Sequence, residues 1–198
     1  MTIKINLLQS DDEILYEGFL HSVGHSLIYY SLIYRDFLKR ILTNSKDFYI
    51  IAHENNRIIG ALPTFITFNA KYGNILNSLP FYGSHGGIIL SQELSNGEKL
   101  NVSQMLIDSL DSLIHENNVV ASTLISNPFQ SDDNFYEEHF EYSLQDIRIG
   151  QITPLPNEWN NEDKLSEELL KIFHYKTRNC IRKSQKANGS IYNKKAKL

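Results

Sequence analysis

Phe48-Tyr49-Ile50-Ile51-Ala52 is followed by Glu54-Asn55-Asn56-Arg57 and then by Ile58-Ile59-Gly60-Ala61-Leu62-Pro63-Thr64-Phe65-Ile66. Two apolar, β-branched runs around a short polar turn predict a β-hairpin. The runs are continuous rather than alternating, so both faces of these strands are expected to be covered. Working outward, Ile3–Leu8 reads as a short strand. Ser10-Asp11-Asp12-Glu13 reads as a helix cap with acidic first-turn residues. The helix it opens carries Ile14, Leu15, Phe19 and Leu20 at helical spacing and stops near Gly24. Leu32–Leu42 repeats that pattern through Ile33, Phe37, Leu38 and Ile41.

After the hairpin, Tyr72–Leu79 is a third strand candidate, and the glycine-rich loop 80–87 leads into the short strand Ile88–Leu90. Glu98–His115 predicts a long amphipathic helix. Val119–Ile125 reads as a buried strand, residues 127–138 as loop plus short helix, and Tyr142–Ile152 as a further strand. Glu162–Leu170 and Ile172–Lys186 read as helices broken around Lys171. Hairpins first and a helix–strand crossover later give a mixed α/β class, a central mixed sheet flanked by helices.

The chain has 198 residues, 41% hydrophobic and 21% charged, the profile of a folded globular domain. No apolar run approaches the ~20 residues of a membrane span, and the first residues lack a signal-peptide core, so a cytoplasmic location is expected. Cys180 is the only cysteine, which excludes an internal disulfide and a cysteine-based zinc site. No metal is expected. The net charge of -4 is unevenly spread: residues 171–198 hold nine Lys/Arg and no Asp or Glu, while the other 170 carry 10 basic and 23 acidic side chains. Such a split points to an anionic partner for the C-terminal segment. The acidic remainder disfavours a broad nucleic-acid footprint, leaving RNA contact through the basic C-terminus as the weaker alternative.

Three segments carry a resemblance. They are His25-Ser26-Leu27-Ile28-Tyr29-Tyr30-Ser31-Leu32-Ile33-Tyr34, Asn77-Ser78-Leu79-Pro80-Phe81-Tyr82-Gly83-Ser84-His85-Gly86-Gly87, and Lys176-Thr177-Arg178-Asn179-Cys180-Ile181-Arg182-Lys183-Ser184-Gln185-Lys186-Ala187-Asn188-Gly189. In order and spacing they resemble the FemAB-like branch of the GNAT acyltransferases. The middle segment is similar to that family's "SLPF…YGG" loop and the last to its "RNxIRKAxKxG" helix, which joins two GNAT-like halves. The resemblance implies a GNAT-like domain over residues 1–170, with a basic connecting helix and the start of a second half over 171–198. It implies transfer of an acyl or aminoacyl group to an amine, with acyl-CoA or aminoacyl-tRNA as donor substrate and no tightly bound cofactor. The implied acceptor is a phosphate-bearing sugar or peptidoglycan precursor of the cell envelope.

Family members run considerably longer, so the resemblance implies a fragment or one part of a split enzyme, with a separate chain supplying the second half. GNAT enzymes hold the CoA pyrophosphate in an (Arg/Gln)-x-x-Gly-x-(Gly/Ala) turn at a helix N-terminus. That signature is not found here, which fits an acceptor-side half; a non-catalytic module retaining the acceptor pocket is the alternative.

Arg178, Arg182 and Lys186 recur every four residues on one helix face, flanked by Lys176 and Lys183, and an arginine fork suits bidentate phosphate contact. Solvation, or pairing with Glu162, Asp163, Glu167 and Glu168, is the plain alternative. Gly83, Gly86 and Gly87 permit close backbone approach to a ligand, with Phe81 and Tyr82 beside them. His85 is the one candidate base. Tyr29, Tyr30 and Tyr34 suit a sugar or peptide site, and equally a half-buried core. Cys180 has no visible base to make it a nucleophile.

Overall fold

A computed structural model describes residues 2–24, 26–79, 85–129, 133–139, 141–147 and 162–186, with the side chains of 133–134 and 162–166 excepted. The chain divides into two compact units, Met1–Asp146 and Ile147–Leu198. The first unit contains β1 (Lys4–Leu7), α1 (Glu13–Ser22), α2 (Leu32–Ile41), β2 (Ser45–Glu54), β3 (Arg57–Thr67), β4 (Asn74–Asn77), β5 (Ile89–Leu90), α3 (Asn96–Glu116), β6 (Val119–Thr123) and α4 (Asp133–His139). The second contains α5 (Glu162–Ile172) and α6 (Tyr175–Lys186). The break between these last two helices falls at Phe173–His174, two residues beyond the Lys171 expected from sequence.

The predicted hairpin is the spine of the sheet. β2 and β3 pair antiparallel from Ser45↔Thr67 to Glu54↔Arg57, with an irregularity at Ala52/His53. Asn55 and Asn56 close the turn at φ 48° and 61°. A two-residue turn with both central φ values positive matches the right-handed twist of its strands, and asparagine tolerates that region well. The order is β1-β2-β3-β4-β6, with β5 also on β3. Among described residues β4 and β6 are the one parallel pair, joined through α3.

Side-chain alternation splits the hairpin between two cores. Tyr49, Ile51, Ala61 and Phe65 pack with Tyr16, Phe19 and Leu20 of α1 and Leu38 of α2. Phe48, Ile50, Ala52, Leu62 and Ile66 pack with Val102, Leu106 and Leu110 of α3. Both faces are thus covered, as the continuous apolar runs predict.

Three expectations are corrected. The α1 side chains that reach the core are Tyr16, Phe19 and Leu20, while Ile14 is 87% exposed. On α2, Ile33, Phe37 and Ile41 face outward, and Leu38 and Arg35 face inward. Arg35 donates to Glu13 at 2.7 Å and to Asp36 at 3.1 Å, with Asp47 3.9 Å away. Burial works against its charge, but the hydrogen bonds to Glu13 and Asp36 prevail and raise its pKa. An apolar count cannot anticipate a buried arginine that brings its own carboxylates. Third, β6 exists, but Val120 is 65% exposed and Ala121–Thr123 are exposed as well. A short apolar run does not itself say whether a strand is central or at an edge. Of the strand expected over Tyr142–Ile152, residues 142–147 are irregular and the rest lie outside the described residues.

One buried hydroxyl is unmatched. Tyr49 is 2% exposed and its OH has no hydrogen-bond partner among the described residues. Burial pushes this phenol, and that of Tyr16, well above the ordinary tyrosine range, so both stay neutral. An unsatisfied buried hydroxyl costs about 1–3 kcal/mol. Tyr49→Phe is therefore expected to raise the unfolding free energy by about 1–2 kcal/mol, read from urea denaturation at unchanged m-value. A destabilised variant would show that the hydroxyl is bonded in solution.

Candidate functional site

The site grows out of an interruption in the sheet. β4 and β5 lie on the same edge of β3, with Phe65–Thr67 opposite Ile75–Asn77 and Gly60–Ala61 opposite Ile89–Leu90. Of the described residues between them, 78–79 and 85–88 are not paired with β3. Leu79, wholly buried, takes φ 51° at the exit, a conformation that costs a non-glycine residue about 1–2 kcal/mol. Gly87 takes φ 83° at the return.

The returning segment is fastened on several sides. Tyr30 OH donates to the Gly86 carbonyl. Gly86 N–H donates to the Ile125 carbonyl at 2.8 Å. Ile88 N–H donates to Tyr136 OH at 2.8 Å, and Ile125 N–H to Ser78 Oγ at 2.8 Å. A Cβ on Gly86 would lie 2.7 Å from the Ser78 carbonyl oxygen. Gly86 is thus required by close packing and Gly87 by its backbone conformation.

These fastenings carry His85. Its Nδ1 lies 3.2 Å from the Ser126 carbonyl, which can only accept, so Nδ1 holds the proton of the neutral ring and Nε2 carries the lone pair. Tyr29 lies 6.3 Å from the His85 ring, Tyr29 meets Tyr34 edge-on at 5.2 Å, and Tyr34 lies 5.9 Å from Phe37. A row of partly exposed aromatic rings therefore leads to an oriented imidazole, at the carboxyl end of the parallel pair β4/β6. Crevices of this kind are where α/β sheets place ligands.

Of the sequence-derived candidates, Tyr29, Tyr34, His85, Gly86 and Gly87 come together here. Tyr30 belongs to the core: it is fully buried and its hydroxyl is committed to Gly86. Phe81, Tyr82 and Gly83 lie outside the described residues. Phe37 and Tyr136 join the site without having been read as members: Phe37 was read for its place in the second helix and its family-like segment, Tyr136 only as part of a loop and short helix.

Lys176, Arg178, Arg182 and Lys183 lie on α6 in the second unit, as their spacing predicts. Among the described residues none of the four makes an ion pair. The pair that forms is Lys171–Glu168, within α5. Cys180 is exposed and not disulfide-bonded.

No protein-family model matches the sequence, and no curated protein does either. Solved structures do match. An aminoglycoside acetyltransferase from an uncultured soil metagenomic sample, solved with trehalose, aligns with 77% of this chain and 96% of its own at 13% identity and TM-score 0.53. AAC(6')-Iy, solved with a CoA-containing bisubstrate analogue, aligns with 77% of this chain and 100% of its own at 12% identity and TM-score 0.52. Glucosamine-6-phosphate N-acetyltransferase from Arabidopsis thaliana aligns with 78% and 100% at 13% identity and TM-score 0.51. The chain has the fold of the GNAT N-acetyltransferases.

That fold raises the question of an acyl-CoA donor, whose diphosphate would use the free amides at the N-terminus of α3. Here a capping box already uses one of them, the Glu98 amide. Ser95 Oγ accepts from Glu98 N–H at 3.4 Å, and Glu98 accepts from Ser95 N–H at 2.8 Å and from Ser95 Oγ at 2.6 Å. Hydrogen bonds from Ser95 hold the Glu98 carboxyl below the ordinary glutamate range, so it is an anion at neutral pH. A fixed carboxylate within the first turn does not fit a diphosphate.

Proposed function

We propose that this chain is the acceptor-side part of a FemAB-like N-acyltransferase. The observation that carries the reading is His85, its ring oriented by the Ser126 carbonyl beside the aromatic row of Tyr29 and Tyr34 within a GNAT-type sheet. Tyrosine faces suit a sugar or peptide acceptor. The acceptor amine attacks the carbonyl carbon of an activated acyl group; a C–N bond forms, and the bond to the leaving oxygen or sulfur breaks with its electron pair. His85 Nε2 takes the proton the amine sheds. The Glu98 carboxylate in the first turn of α3 opposes a CoA diphosphate there, and the donor, acyl-CoA or aminoacyl-tRNA, is assigned in this reading to a second GNAT-like half on a separate chain. Residues 171–198 form the connecting element in this reading. Within the second unit, Arg178 and Arg182 with Lys176 and Lys183 form a face suited to the phosphates of an envelope precursor.

Calorimetric titration with a UDP-linked amino sugar tests this reading. Wild-type chain is expected to bind, and Arg178→Ala with Arg182→Ala to weaken binding about ten- to a hundred-fold. Equal affinity in the double variant would show that α6 does not bind the phosphates. Absence of affinity in the wild type for UDP-sugar and lipid-diphosphate acceptors alike would sink the acceptor-side assignment.

A further inference from the structure

A second concavity lies on the first unit, between α3, β5 and α4, with a volume of about 180 Å³. Its walls are apolar: Leu90 from β5, Leu100 from α3, Phe135 and Tyr136 from α4. Asn96, Lys99 and Ser103 line it from α3, and their spacing of three and four residues places them along one helix face. Ser103 is only 6% exposed and stands in the wall of the cleft, where its hydroxyl is placed to meet a ligand. Lys99, one turn away, pairs with no carboxylate among the described residues.

The chemistry of the ligand follows from these walls. An apolar cavity of about 150 Å³ holds benzene, so the body of the ligand is about a six-carbon chain or ring. The cation beside it calls for an anionic head. Lysine is a single point charge, and the cleft brings no arginine fork of the sort that favours phosphate. The Glu98 carboxylate in the adjoining turn opposes a second or third negative charge. We propose that this cleft binds a small amphipathic monocarboxylate, its carboxylate on Lys99 and Asn96 and its apolar body against Leu100, Phe135 and Tyr136. The proposal is independent of the acyltransfer reading and involves none of His85, the aromatic row or α6.

Hexanoate is the probe, titrated into the full chain and followed by amide chemical shifts. Saturable shifts are expected at Leu90, Lys99, Ser103 and Tyr136, with affinity in the millimolar range. Lys99→Glu, with the fold checked by circular dichroism, is expected to weaken binding at least about ten-fold, and Ser103→Ala by a smaller factor. Hexylamine is expected not to bind, and hexan-1-ol to bind at least several-fold more weakly. The proposal is overturned by non-saturating shifts, by hexan-1-ol binding as tightly as hexanoate, or by unchanged affinity in Lys99→Glu. It is equally overturned if coenzyme A displaces hexanoate while shifting Ser95–Glu98, since the cleft would then be a donor site.

Discussion

Gly86→Ala is expected to lower the unfolding free energy by about 2–3 kcal/mol, a melting-temperature drop of roughly 4–12 °C for a chain of this size. The reason is the obstacle its methyl group would meet. A Cβ at this position lies 2.7 Å from the Ser78 carbonyl oxygen and 3.0 Å from both the Ser78 carbonyl carbon and Oγ. Two of these are backbone atoms, which cannot swing aside as the end of a long side chain can. Relief requires the returning segment to move off β4, which stretches the Gly86–Ile125 hydrogen bond and withdraws the carbonyl that buried Tyr30 requires. A hydroxyl stranded in the core then adds its own penalty. Urea denaturation followed by circular dichroism reads the change. Wild-type stability in this variant would mean that the segment sits farther from β4 than the structure places it.

The second large effect falls on chemistry. His85→Asn retains a side-chain N–H able to reach the Ser126 carbonyl but has no counterpart of Nε2. The rate of amide formation on an amino-sugar acceptor is expected to fall about 10²- to 10⁴-fold, the usual contribution of a positioned general base, with thermal stability close to wild type. His85→Gln, which places its amide nearer the Nε2 position, is expected to be equally slow and less stable. If His85→Asn transfers at the wild-type rate, His85 is a structural pin and the proton leaves by another route.

The hairpin was legible because its signal is redundant: β-branched runs, an Asn-Asn turn and two covered faces all agree. The long helix α3 was legible for the same reason, bounded by Ser95 and Glu98 in a capping box and by Asn117 and Asn118 at its end. Which face of a short helix turns inward was not legible. α2 offers Ile33, Phe37 and Ile41 as a regular stripe, and the structure turns that stripe outward to bury Arg35 among Glu13, Asp36 and Asp47. Those partners come from three separate elements, and local periodicity carries no information about them. At the candidate site, residue types were readable and roles were not. Tyr29 and Tyr30 are neighbours in sequence, yet one packs its ring near-perpendicular to Tyr34 and the other sends its hydroxyl into the core. Tyr136 was invisible because its partner, Ile88, lies 48 residues away.

The two short strands on one edge of β3 behave as a splice in a single rail. Whatever chain runs from residue 78 to residue 88 starts and finishes at points fixed by the same long strand, so its length hardly touches the register on either side. Doubling such an excursion costs only about 0.6 kcal/mol in closure entropy. Evolution, or an engineer, can therefore trade this insert for a longer or shorter one and alter what the crevice admits while the scaffold beneath keeps its pairing.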